Sequence, residues 1–191
     1  MKNKLWEIAS IQMGYSFRSR LESIDSGGVA VIQMKDLTEA NRVNCNDLMR
    51  VDGENIKEHH LARTGDLIFR SRGQVMTSAI LADDPGEAVV AAPLLRIRVN
   101  DAIVIPEYLN WFISQAPSQA FLMSCAEGTA QKMISKQALE DLEVFIPSFE
   151  RQRMIIELAT LAEEEKHLME NIMLKREQYI TKTLLNMAKG D

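Results

Sequence analysis

The chain lacks any apolar run near the roughly 20 residues that a membrane-spanning helix needs, which excludes a transmembrane class. Its first residues, Met1 to Trp6, carry two lysines with no apolar stretch after them, unlike a secretory leader. It has only two cysteines, Cys45 and Cys125, far apart in sequence. Without a leader they are expected to be reduced thiols in a cytoplasmic protein. There is no basic excess either: 22 Lys and Arg against 27 Asp and Glu give a net charge of −5. Nucleic-acid binders usually carry a basic bias. The field at one face matters more than the total, so the distribution of cations has to be read locally.

A catalytic constellation is also missing. The adjacent His59 and His60 would point apart in most conformations. With Cys45 they match no common zinc spacing, so they read as surface histidines. No GxxxxGK[ST] loop occurs, and no GxGxxG follows a strand. Glu164-Glu165-Lys166 has the order of a nuclease acidic-x-Lys motif but lacks an acidic strand partner, so it reads as a helix face. The Asn/Asp-Pro-Pro-aromatic motif of DNA methyltransferases is absent. A hydrolase with an unrecognised site remains as a rival, although no spacing suggests a nucleophile and its base. No metal site is expected.

What is present suits one domain plus an appendage: 191 residues, 46% apolar and 26% charged. Residues 1–147 read as α+β, a central small sheet with flanking helices. Leu5 to Ile11 predicts a short helix. Val29–Met34, Leu67–Ser71, Val75–Ala82, Ala88–Val99 and Val144–Ile146 predict strands, with a turn at Asp83-Asp84-Pro85-Gly86. Pro106 opens a helix to about Gln115, another follows Pro117, and Ser135 caps a short one through Leu142.

Residues 148–189 contain no Gly and no Pro. Ser148 as N-cap, Glu150 in the first turn, and Lys182 and Lys189 near the end predict one helix. Over 151–188 it would be about 57 Å long. At 100° per residue one stripe collects Met154, Ile155, Leu158, Leu161, Ala162, Met169, Ile172, Met173, Tyr179, Ile180 and Met187, interrupted by Glu165 and Arg176. In a parallel, in-register pair of such helices, each of these charges would face its own kind. In an antiparallel pair with i + j = 341, Glu165 meets Arg176 of the other copy. The same sum sets Met169 against Ile172, Leu168 against Met173, Ala162 against Tyr179 and Leu161 against Ile180. Charge and volume are satisfied together, so the sequence predicts an antiparallel homodimer, in register to about one turn. Ile156, Leu174 and Leu185 lie on the opposite face. They are either scattered surface apolars or a second docking surface for a partner's helices.

Polar side chains of the types that contact bases and phosphates gather in three segments. These are Gly14-Tyr15-Ser16-Phe17-Arg18-Ser19-Arg20, Arg70-Ser71-Arg72-Gly73-Gln74 and Gly128-Thr129-Ala130-Gln131-Lys132. By composition alone they read first as ordinary solvated loops. Their order is more specific. An opening Trp6 and Gly14-Tyr15-Ser16-Phe17 lead to Val31-Ile32-Gln33-Met34-Lys35-Asp36-Leu37, then to Gly65-Asp66-Leu67-Ile68-Phe69-Arg70-Ser71-Arg72-Gly73. The Gly128 to Ser135 segment follows, then Leu142-Glu143-Val144-Phe145-Ile146-Pro147 and the entry Glu150-Arg151-Gln152.

This series resembles the target-recognition domain and adjoining helix of the DNA-specificity subunits of type I restriction-modification enzymes, over nearly the whole chain. The resemblance implies a non-catalytic subunit that binds double-stranded DNA. It would hold DNA methyltransferase subunits, which carry the S-adenosylmethionine, and restriction-translocase subunits. Full specificity subunits have two recognition domains and two antiparallel helices. One domain and one helix resemble a half-size form, completed by homodimerisation or by a different half-subunit. A two-fold dimer implies an interrupted palindromic target. By motif position Arg70, Arg72 and Gln74 lead the expected DNA contacts, followed by Arg18, Lys35, Gln131 and Lys132. Tyr15, Ser16, Ser71 and Thr129 are expected at phosphate or sugar. The alternative is a protein-interaction scaffold displayed on a coiled coil, which the net charge favours.

Overall fold

The computed structural model describes residues 2–17, 22–24, 27–53, 56–73, 76–128 and 131–189. In chain order they form β1 (Lys2–Lys4), α1 (Leu5–Ile8), β2 (Ala9–Met13), β3 (Val29–Ile32), β4 (Met49–Val51), β5 (Leu67–Phe69) and β6 (Ser78–Ile80). Then come β7 (Ala88–Val90), β8 (Leu95–Val99), α2 (Pro106–Ile113), α3 (Ala116–Ser124), α4 (Lys136–Glu140), β9 (Glu143–Phe145) and α5 (Phe149–Lys189). The chain divides into two compact units between Gln152 and Arg153.

The first unit is α+β. Instead of one central sheet its described residues form three: β2-β8-β5-β6, β4-β3-β7 and the pair β1-β9. All strand pairs are antiparallel except β3 with β7, which run parallel. Strand β3 shows why an unbroken apolar run was needed. Successive side chains of a strand point to opposite faces, and both faces of β3 are buried. Ala30 and Ile32 join a core with Leu37, Val43, Ile68 and Leu81. Val29 and Val31 join another with Val51, Val89 and Ala91. Buried on both faces, the strand reads as continuous rather than alternating.

Two expectations need correction. The predicted helix over Leu5–Ile11 stops at Ile8, and Ala9–Met13 forms a strand. Its residues pair with all of β8, from Ala9 opposite Val99 to Met13 opposite Leu95. A five-residue ladder that buries Ile11 outweighs a short local helix tendency. The predicted strand over Ala88–Val99 is two strands in two sheets, parted at Ala92-Pro93. Proline lacks the N–H that a central ladder requires.

The helix starts match the local signals. Pro117 sits in the first turn of α3, and the Ser135 hydroxyl accepts a hydrogen bond from Ala138 N at 3.1 Å. The unit boundary falls inside α5, and Gln152 gives the physical reason. Its side chain is fully buried in the first unit. Its Oε1 accepts from Ile105 N at 2.9 Å, while its Nε2 donates to the carbonyls of Ile103 and Pro147 at 3.3 and 3.0 Å. The glutamine that closes the Pro-x-x-acidic-x-Gln entry is thus an internal latch for the helix start.

The second unit, residues 153–191, is described to Lys189 and is the continuation of α5. Leu158, Leu161, Ala162, Leu168, Met169, Ile172, Met173, Tyr179 and Ile180 are all exposed in the single chain, as are Glu165, Arg176, Leu174 and Leu185; Ile156 is partly buried. Among the described residues, neither Glu165 nor Arg176 has an ion-pair partner in its own chain. No described helix is long and apolar enough to cross a membrane.

Candidate nucleic-acid interface

The segments singled out in the sequence converge around one corner of the chain, Ala91-Ala92-Pro93-Leu94. Tyr15 N donates to Val90 O at 2.7 Å, and Tyr15 O accepts from Ala92 N at 3.0 Å. Gly14 N donates to Leu94 O at 2.8 Å. A Cβ on Gly14 would lie 2.6 Å from the Ala91 carbonyl carbon and 2.7 Å from Ala92 N, so only glycine lets the two backbones approach. The buried Ser71 hydroxyl donates to Pro93 O at the same corner.

The third segment is tied to the second. Arg72 and Met133 form an antiparallel bridge, and Ile134 N donates to Ser71 O at 2.8 Å. Glu127 and Met133 exchange two backbone hydrogen bonds at 3.0 and 2.9 Å, closing the loop between them. Gly128 turns that loop with φ +96, and a Cβ there would lie 2.4 Å from Gln131 O. Gln131 and Lys132 stand exposed on it, beside the exposed Arg72, whose Nε lies 3.3 Å from Met133 Sδ.

Neighbouring positions in the second segment differ sharply. Arg70 is half-buried, and its guanidinium donates to Leu37 O, Thr38 O and Thr77 Oγ1, each at 2.9 Å. Burial lowers its pKa. Arg70 therefore fastens the turn Met34–Asp36, on which Lys35 stands exposed. Ser71 faces inward, while Arg72 faces solvent. Ser16 is exposed and Tyr15 is half-buried against the Phe17 ring, centroids 4.8 Å apart. The expected contacts Arg18, Gln74 and Thr129 lie outside the described residues.

Sequence reading missed a network beside this surface. Asp66, 2% exposed, accepts from Arg98 Nε and Nη2 at 2.7 Å each and from Arg63 N at 2.8 Å. The hydrogen bond to Asp66 raises the Arg98 pKa. Arg96, also buried, has its Nε 3.9 Å from Asp66 Oδ2 and, among the described residues, without a hydrogen-bond partner. Its Nη1 donates to Leu61 O at 2.6 Å and its Nη2 to Gln12 Oε1 at 2.5 Å. Gln12 Nε2 lies 3.1 Å from His60 Nδ1. His59 and His60 do not point apart, because their ring centroids are 4.1 Å apart, and His60 packs edge-on against Tyr15 at 5.3 Å. The alternating Arg96 and Arg98 in an apolar strand, with the Gly65-Asp66 turn, was the available signal.

Residues 1–171 match the family model of the type I restriction modification DNA specificity domain. The chain belongs to that family. Membership assigns it a recognition role and not a catalytic one. The fold is similar to that of the HsdS subunit from Thermoanaerobacter tengcongensis (17% identity, TM-score 0.65), over 88% of this chain and 43% of that one. It is also similar to a chain in a structure concerned with complex assembly and conformational transition of the type I R-M system. There the identity is 17% and the TM-score 0.72, over 95% of this chain and 43% of the other. The type I restriction-modification S subunit from M. genitalium matches at 10% identity and TM-score 0.56, over 86% and 39%. This specificity domain thus spans about two-fifths of the length of these structures.

Proposed function

We propose that this chain is a sequence-specific DNA-reading subunit of a type I-like restriction-modification enzyme. The observation that carries the reading is the convergence of the polar segments on one corner. Tyr15, followed by Ser16, is hydrogen-bonded to Val90 and Ala92, while Ser71, beside Arg72, is hydrogen-bonded to Pro93, and Met133, after Gln131 and Lys132, bridges Arg72. Arg, Gln and Lys are the types that reach base edges and phosphates. Lys35, on the turn fastened by Arg70, extends the surface. Arg70 and Ser71, occupied by protein acceptors, act as supports for it rather than as contacts.

Two copies associate through antiparallel α5 helices near i + j = 341 and so read an interrupted palindrome. The exposed apolar row on α5, with Glu165 and Arg176 that have no ion-pair partner among the described residues, supports this pairing. Ile156, Leu174 and Leu185 offer a row for DNA methyltransferase subunits, which bring S-adenosylmethionine.

Retention of labelled duplex DNA across salt concentrations tests the reading. A DNA-binding surface loses affinity linearly on a log–log plot as salt rises, whereas a protein scaffold retains no duplex at any salt. Arg72→Ala should cost roughly 1–3 kcal/mol on the preferred site if Arg72 reads a base edge. Equal weakening on random duplexes, measured by fluorescence anisotropy, would instead make Arg72 a phosphate contact.

A further inference from the structure

The hydrogen-bond chain Arg96–Gln12–His60 fixes the position of a proton. Arginine has donors only. The Gln12 atom 2.5 Å from Arg96 Nη2 is therefore the carbonyl oxygen, and the amide nitrogen faces His60 Nδ1 at 3.1 Å. Because the amide nitrogen only donates, Nδ1 must accept and carries no proton. The one ring proton of neutral His60 then sits on Nε2. Turning the Gln12 amide over would set its NH2 against Arg96. Arg96 is itself held by Leu61 O, at 2.6 Å, on the residue after His60.

The surroundings also disfavour the charged ring. Its pKa is lowered by burial first, then by repulsion from His59, Arg96 and Lys57. The titratable groups facing it are those three and the Tyr15 phenol. The edge-on contact with Tyr15 sets His60 beside the converged segments.

We propose that His60 is a specificity-determining residue of the DNA surface, presenting Nε2–H as a fixed neutral donor to an acceptor on a base edge, with Gln12 and Arg96 as its positioning residues. The inference rests on the DNA-reading function above. A phosphate would be held better by a cation, which this surrounding disfavours. A neutral donor distinguishes edges that offer acceptors, such as guanine N7 and O6, from the cytosine N4 donor.

The test has two arms on the full chain. Imidazole 15N shifts of the free protein at neutral pH should show His60 with Nε2 protonated and Nδ1 bare. In Gln12→Glu the carboxylate accepts from both neighbours, so the proton should move to Nδ1 and the ring should titrate at higher pH. A wild-type His60 protonated on Nδ1 overturns the relay, whatever the chain does with DNA. The second arm selects from randomised duplexes with wild type, Gln12→Glu and His60→Ala. Both variants should lose roughly tenfold discrimination at one base position of the half-site and keep the others. His60→Ala removes only a half-exposed ring, so it carries this arm if Gln12→Glu fails to fold. Unchanged preferences with His60→Ala overturn the inference and leave the DNA reading standing. A wild type that enriches no sequence overturns both.

Discussion

Asp66→Ala should lower the stability of the first unit by about 3–5 kcal/mol, the range for removing one partner of a buried ion pair. The carboxylate is 2% exposed and accepts both Arg98 donors and the Arg63 amide. Without it the Arg98 guanidinium keeps Leu61 O at 3.1 Å as its one acceptor among the described residues. Arg96 loses the only carboxylate within 4 Å of its buried guanidinium among the described residues. The Arg63 amide is left without its acceptor in the Gly65-Asp66 turn. The effect should reach the proposed DNA surface too, since Arg96 holds Gln12 and Gln12 holds His60. Urea unfolding of wild type and variant measures the difference. A loss below about 1 kcal/mol, the range of an exposed pair, would mean that water or another group screens these arginines.

Reversing the charge of Glu165 should weaken self-association, and reversing Arg176 as well should restore it. In the antiparallel register, Glu165→Lys sets lysine against Arg176 of the other copy at two symmetry-related places. Two attractive contacts become repulsive, and the dissociation constant should rise roughly tenfold or more. The double variant Glu165→Lys, Arg176→Glu recreates both pairs with the signs exchanged. A parallel, in-register pair predicts otherwise, because there Glu165 faces Glu165 and a lysine merely replaces one repulsion by another. Sedimentation velocity across protein concentration separates the cases. In either register the apolar row would supply the main association free energy. Leu158, Met173 and Tyr179 are 65%, 71% and 72% exposed in the single chain, and buried apolar surface yields roughly 25 cal/mol per Å².

Local chemistry was legible in the sequence. The Ser135 cap, the prolines of α2 and α3 and the uninterrupted α5 depend on neighbours a few residues away. Pairings between distant segments were not. Strand β1 lies against β9, near the opposite end of the first unit, so Lys2–Lys4 has no strand signal of its own. The helical tendency of Leu5–Ile11 gave way to the ladder with β8 for the same reason.

The site divides in the same manner. Arg70 and Arg72 are equivalent in composition, yet one is enclosed by Leu37 and Thr38 carbonyls from another segment and the other is exposed. Gln12 and His60 carried no motif at all, because their relation depends on β2, β8 and the residues before Leu61 meeting in space. The adjacent histidines read as surface residues until Tyr15 and Gln12 were seen around them. Gln152 is the converse case. It belonged to a recognisable motif, but only its burial among Ile103, Ile105 and Pro147 explains why a helix entry needs an amide there.

The central claim is that two copies of this chain, joined by antiparallel helices, read DNA. Selection of randomised duplexes by the full chain at low salt, followed by sequencing, tests it most directly. The account predicts an interrupted inverted repeat, with the same half-site on both sides of a gap of fixed length. A single half-site without its inverted copy, or no enrichment over the starting pool, would contradict it.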